Sequence, residues 1–224
     1  MTDARAAALA AEFDIDPHRP LLIVDADEVL FHFMSAFLNF IEEKGHAFVF
    51  RSYALAGNVL KEENGTPLGR EQVTDLVSDF FKMRTRQIPP DLEAAMVISR
   101  LIADGIQGIV LSNVPLNAVE DRRHALDDAG INLPLAPWSG PKGPAVAALA
   151  AKTQKPTAFV DDIASHHESV AELAPAVYRL HYVSHPKLRQ LLGTVSAAHA
   201  QAENWGALDS IIRSRLIIRE AKLQ

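Results

Sequence analysis

Short apolar runs alternate along this chain with apolar residues at helical spacing. Leu21-Leu22-Ile23-Val24 has no polar position and reads as a strand buried on both faces. Phe33, Phe37, Phe40 and Ile41 recur at helical spacing, with Gly45 as a stop, and Val73, Leu76, Val77, Phe80 and Phe81 predict a second helix. Beyond Pro89-Pro90 the alternation becomes regular. It predicts a helix over 91–104 ending at Gly105, a strand over Gly108–Leu111, a helix over Asn117–Ala129 ending at Gly130, and a weak strand over Ile131–Leu135. A helix then starts near Gly143-Pro144, where proline suits the first turn. The strand Thr157–Val160, a helix to about Leu173 and the strand Val177–His181 follow.

This order predicts an α/β fold, a Rossmann-like and mostly parallel sheet flanked by helices. Ala4–Phe13 predicts a short packing helix. Trp205, Leu208, Ile211, Ile212 and Leu216 mark an amphipathic helix that closes an edge or face of the core or makes a dimer contact. The block 34–88 interrupts the alternation and reads as a small, mainly helical insertion; 1–33 and 89–224 form the core domain. Within it, residues 46–69 give only the turn signal Asn64-Gly65.

Composition narrows the classes of function. The 224 residues carry a net charge of −6 and no Lys/Arg run beyond a dipeptide, which argues against nucleic acid as a partner. With no cysteine, disulfides, zinc–thiolate sites and thiol catalysis are excluded, and a reducing cytoplasm is the expected compartment. The acidic N-terminus has neither the apolar core of a signal peptide nor the Arg-rich character of a transit peptide, and no apolar run is long enough for a membrane span.

Candidate chemistry collects at strand ends. The first strand runs into Asp25-Ala26-Asp27, the second ends at Ser112-Asn113, Lys142 opens a helix, and Thr157–Val160 runs into Asp161-Asp162. In a parallel sheet these ends converge on one crevice. Four carboxylates there repel one another, and a divalent cation relieves the conflict; all-oxygen ligands point to Mg²⁺, completed by waters and a substrate phosphate. Lys142 and the Ser112 hydroxyl then suit the remaining phosphate oxygens, and Asn113 either assists there or stabilises the turn.

The order of these motifs resembles the haloacid dehalogenase superfamily, in its Mg²⁺-dependent phosphatase branch. Asp25-Ala26-Asp27-Glu28-Val29 is similar to its first motif, Leu111-Ser112-Asn113 to its second, Lys142 to the lysine of its third and Phe159-Val160-Asp161-Asp162 to its fourth. The resemblance covers about residues 20–183, and the block 34–88 falls where that family inserts a helical cap. It implies that Asp25 is the nucleophile that becomes phosphorylated and that Asp27 is the general acid and base. It further implies phosphate binding by Ser112 and Lys142, and Mg²⁺ held by Asp25, the Asp27 backbone carbonyl and Asp162, with Asp161 in support. Lys142 is preferred over Lys152 and Lys155 because it lies in a Gly/Pro loop at a helix start.

The expected function is hydrolysis of a small phosphorylated metabolite, such as a sugar phosphate or nucleoside monophosphate. The alternatives are a metal-independent 2-haloacid dehalogenase, against which Asp27 argues, and a non-catalytic binding protein of the same fold. Phosphonate hydrolysis would need a Schiff-base lysine among Lys44, Lys61 and Lys82. His166 and His167 read as helix-surface residues, His32 as a packed or exposed hinge residue in preference to a substrate contact, and Glu28 as one more acid that points away from the site or biases substrate choice. Arg51, Arg84 and Arg86 read as surface charge or as a greeting for an anionic substrate, and the insertion's phenylalanines as its own small core.

Overall fold

The computed structural model describes residues 2–217. Six strands, β1 (Leu21–Val24), β4 (Gln107–Ser112), β5 (Leu135–Pro137), β6 (Thr157–Asp161), β7 (Tyr178–Tyr182) and β8 (Ala200–Ala202), form one sheet in the order β5-β4-β1-β6-β7-β8. Every pairing in it is parallel. The chain leaves β1 towards β4 and β5, then crosses back to β6 on the other side, so the topological switch lies at β1.

Strand alternation explains why β1 has no polar position. Leu21 and Ile23 point into one apolar layer with Ile109, Leu111 and Phe159, whereas Leu22 and Val24 point into the other with Val110, Ala158 and Val160. Helices α1 (Thr2–Ala11), α6 (Gly143–Ala150) and α7 (Ala164–Leu173) cover the first face. Helices α4 (Leu92–Ala103), α5 (Val119–Asp128) and α9 (Trp205–Leu216) contribute to the second. The C-terminal helix therefore closes a face of the core: α9 packs on α4 and reaches β6. Helix α4 is capped by Asp91, whose carboxylate accepts from the N–H groups of Glu93 and Ala94.

Two expectations need correction, and two elements were not foreseen. No strand occupies 131–134; Leu133 instead packs under β4, and pairing begins only at Leu135, where Val110 faces it. Helix α8 (Pro186–Leu191) and strand β8 carried no usable sequence signal. The predicted helix from Asn117 begins instead with a 3₁₀ turn over Leu116–Ala118.

The segment between β1 and α4 contains α2 (Phe33–Glu42), a hairpin of β2 (His46–Phe48) and β3 (Val59–Lys61), and α3 (Arg70–Arg84). It is mainly helical, as expected, but the hairpin fills the stretch that the sequence left unassigned. Its phenylalanines are not a separate core. Phe37, Phe40 and Phe80 belong to the same continuous apolar cluster as Val24, Val110 and Val160 of the sheet. Among the described residues, no helix is long and apolar enough to cross a membrane.

Candidate active site

The register of the central strands aligns the acidic residues. Val24 is level with Val110 on one side and Val160 on the other, and one step further the Asp25 N–H donates to the Val160 carbonyl at 2.9 Å. Asp25 thus sits at the same sheet edge as Asp161 and Asp162. One carboxylate oxygen from each of the three lies within 4.8 Å of the others, all buried. Lys142 reaches this group from the start of α6, donating to Asp25 Oδ1 at 2.5 Å and to Asp161 Oδ2 at 2.7 Å, with only 1% of its side chain exposed. The residue after it must be glycine. A Cβ on Gly143 would fall 2.3 Å from the Ser169 carbonyl oxygen, so only a bare backbone lets α6 lie against α7 and deliver the lysine.

One ammonium does not balance three buried carboxylates. Burial pushes the Asp25 carboxyl up to about 6, against the pull of Lys142. Burial, reinforced by the charge of Asp161, also drives Asp162 well above the ordinary carboxylate range. Burial opposes ionisation of Asp161 too, but Lys142 and the hydrogen bond from His166 outweigh it and hold its pKa below the usual value. Burial opposes charge on Lys142 as well, yet Asp161 and Asp25 keep its pKa above that of a free lysine. The Asp162 Oδ1 atom is buried with no partner. An orphaned carboxylate oxygen beside an excess of acid is the donor set that a hard divalent cation satisfies, so this cluster could bind a metal ion.

The remaining predicted residues divide into two groups. Asp27, Asn113 and Asp162 line one cavity with Asp25 and Lys142, as does Glu28. Ser112 is fully buried beside it, its hydroxyl accepting from the Val114 N–H at 3.3 Å, and Asp161 stands behind Lys142. Asn113 donates to the Gly140 carbonyl at 3.0 Å, which ties the end of β4 to the loop before Lys142.

At the level of sequence the chain matches no protein-family model and no curated relative. Solved structures do match its fold. A phosphonoacetaldehyde hydrolase-like protein from Oleispira antarctica superposes with a TM-score of 0.58 at 14% identity, over 90% of this chain and 95% of its own. A haloacid dehalogenase family hydrolase from Deinococcus radiodurans R1, solved with bound phosphate and sodium, gives 0.57 at 14%, over 89% and 97%. A dehalogenase gives 0.54 at 11%, over 88% and 98%. The chain has the haloacid dehalogenase fold. Identities this low carry the architecture and not the activity.

On this haloacid dehalogenase fold, several groups that no pattern along the chain announced stand at the site. Arg122, on α5, is wholly buried and donates to Asp27 Oδ1 at 2.5 Å, with its guanidinium 4.6 Å from the Phe31 ring centre. Asp27 keeps 20% of its side chain exposed towards the cavity. Tyr53, in the loop between β2 and β3, donates its hydroxyl to Asp162 Oδ2. Asn58 orders that loop, its amide donating to Ser52 and to the Ala54 carbonyl. Glu28 does not point away: it borders the cavity and is fully engaged with the protein. It has φ +60°, a left-handed conformation that costs a non-glycine residue on the order of 1 kcal/mol or more. Its carboxylate accepts from the N–H groups of Met34 and His185 at 2.6 and 2.9 Å and from the Ser184 hydroxyl at 2.9 Å, bracing the start of α2 against the loop after β7.

The two adjacent histidines are not on the surface. His166 Nδ1 lies 3.0 Å from Asp161 Oδ1, and His167 Nε2 lies 3.0 Å from the Asp161 carbonyl. Burial brings His167 down to about 4, so it is neutral near pH 7. Both fall in the first turn of α7, which tucks behind the end of β6. The arginines have other duties: Arg84 pairs with Glu43 and Arg86 with Asp128. Neither lines the cavity, and nor do Arg51, Lys44, Lys61 and Lys82. No lysine of the insertion is therefore placed for the Schiff-base chemistry of phosphonate cleavage.

Proposed function

We propose that this chain is a Mg²⁺-dependent hydrolase of small phosphate monoesters that works through an aspartyl-phosphate on Asp25. The observation that carries the reading is the cluster of Asp25, Asp161 and Asp162 within 4.8 Å, crossed by the buried Lys142 and facing a cavity that Asp27 also lines.

In this reading Asp25 attacks phosphorus and the ester oxygen departs, taking its proton from Asp27. Asp27 then removes a proton from the water that cleaves the acyl phosphate, releasing inorganic phosphate and restoring Asp25. Lys142 and Asn113 hold the oxygens of the transferred phosphoryl, Lys142 supplying fixed positive charge where negative charge is transferred, and Ser112 shapes the end of β4 behind them. Asp25, Asp162 and the Asp27 carbonyl would hold Mg²⁺, with Asp161 fixing Lys142. When bound, the ion shields the phosphoryl charge from the nucleophile. Arg122 keeps the Asp27 carboxylate turned towards the cavity. Residues 34–88 act as a cap that excludes water and reads the leaving group.

The likeness to a dehalogenase raises a second reading, metal-independent halide displacement by the same Asp25. The cavity offers no arginine for the carboxylate of a 2-haloacid, and Asp27 has no task in that reaction.

The test is turnover of p-nitrophenyl phosphate and a panel of metabolite phosphates in Mg²⁺ and in EDTA, beside Asp25→Asn. We expect Mg²⁺-dependent activity that falls by about 10⁴-fold or more in the variant. Activity surviving in Asp25→Asn sinks the covalent mechanism, and halide release in EDTA establishes the second reading instead.

A further inference from the structure

The upper half of the cavity is built of carbon. Phe33, Met34, Leu55, Phe81 and Leu188 line it together with the ring of Tyr53, and the whole cavity, acids included, has a volume of about 280 Å³. That lies at or below the lower end of the roughly 300–1,000 Å³ common for ligand sites, so a phosphoryl group leaves room for only a small remainder. The wall is fixed in shape. The Phe33 and Phe81 rings stack at 5.6 Å and 28°, and Phe80 buttresses Phe33 edge-on at 5.3 Å.

Most polar atoms near this wall already have partners, His166 Nε2 being the exception. The Glu28 carboxylate takes three hydrogen bonds from the protein, the Tyr53 hydroxyl is on Asp162, and His166 Nδ1 is on Asp161. No lysine or arginine of the insertion lines the cavity; Lys44, Arg84 and Arg86 are paired with Asp79, Glu43 and Asp128 outside it. A second phosphate or a carboxylate on the substrate would meet no lysine or arginine at this wall, and the several hydroxyls of a sugar would find too few partners there.

We infer that the alcohol released is small, uncharged and apolar, of benzyl or short alkyl size, rather than a sugar or nucleoside. This rests on the phosphatase reading above, and the roof residues Leu55 and Phe81 are then its specificity determinants.

The experiment compares kcat/KM for benzyl phosphate, glycerol phosphate and glucose 6-phosphate in the Mg²⁺-loaded protein, with acetyl phosphate as a substrate that sets almost nothing against the roof. These three alcohols have similar acidity, so leaving ability does not create the ranking. Benzyl phosphate is expected to lead by about 100-fold, the scale on which an apolar pocket rejects hydroxyl-bearing competitors. Leu55→Asn should shrink that ratio by about tenfold, chiefly through KM for benzyl phosphate, and Phe81→Leu should shrink it in the same direction. Glycerol or glucose phosphate turned over as well as benzyl phosphate, or a ratio unmoved in both variants, overturns the inference and leaves the phosphatase reading standing. No hydrolysis of any of the four, acetyl phosphate included, brings both down.

Discussion

The floor of the cavity is charged, assembled from the ends of strands and fixed by short hydrogen bonds around Lys142, whereas the roof is apolar, drawn from α2, the β2–β3 loop and α3, and bonded to the floor mainly through Tyr53 and Glu28. The floor stores electrostatic conflict: three buried acids and one cation, relieved by raised carboxyl pKa values until a cation arrives. The roof stores none, because its energy is ordinary apolar burial shared with the sheet. On the proposed reading chemistry and selection are therefore separate in origin, and substitutions in the two regions should fail in different ways.

The largest difference should appear at Lys142. Lys142→Met leaves Asp25 and Asp161 buried without their cation and should cost about 3–5 kcal/mol of stability in EDTA, read by urea unfolding. A cost below about 1 kcal/mol would mean that the floor is not held by this ion pair.

A pH titration of metal binding comes next. Because the folded-state Asp25 carboxyl is raised to about 6, it is protonated below that pH, and Mg²⁺ must displace the proton. The apparent Mg²⁺ affinity, followed by calorimetry, should weaken by about tenfold or more per unit as pH falls below about 6. Asp162, also raised, adds to the slope in the same direction. Affinity independent of pH between 5 and 7 would remove Asp25 and Asp162 from the ligand set.

The smallest effect tests the link between floor and roof. Tyr53→Phe deletes the phenol that shares Asp162 and should raise Mg²⁺ affinity roughly two- to fivefold while costing about 0.5–1 kcal/mol of stability. A fall in Mg²⁺ affinity would show instead that the hydroxyl helps to hold the ion.

The same contrast explains what could be read from the chain. The floor was legible because its acids directly follow or end apolar strand runs, so the residue that ends the strand is the residue that enters the crevice, and Lys142 stands in a Gly/Pro loop at a helix start. Arg122 was not legible. It lies in the charged run Glu120-Asp121-Arg122-Arg123-His124, where one buried guanidinium looks like its exposed neighbours, and its partner Asp27 is 95 positions away. Tyr53 was hidden for a related reason, since a loop clamped by Asn58 has no periodicity to betray it. His166 and His167 were misread because helix spacing reports which residues share a face, and not that the whole first turn of α7 lies behind β6. Strand β8 is three residues of Ala-Gln-Ala, with no β-branched or aromatic position to announce it.

Where the insertion leaves and rejoins the core, the two crossings are zipped together. The Asp91 N–H donates to the Leu30 carbonyl at 2.8 Å, the His32 N–H donates to the Pro89 carbonyl at 2.9 Å, and Phe31 bridges Pro90 in antiparallel fashion. Such a seam works as a socket: it holds the entry and exit of the insertion side by side, independently of the side chains beyond it. On the proposed reading, an exchanged cassette would keep its two attachment points and would have to re-make only the Tyr53 contact to Asp162 and the apolar packing on the sheet.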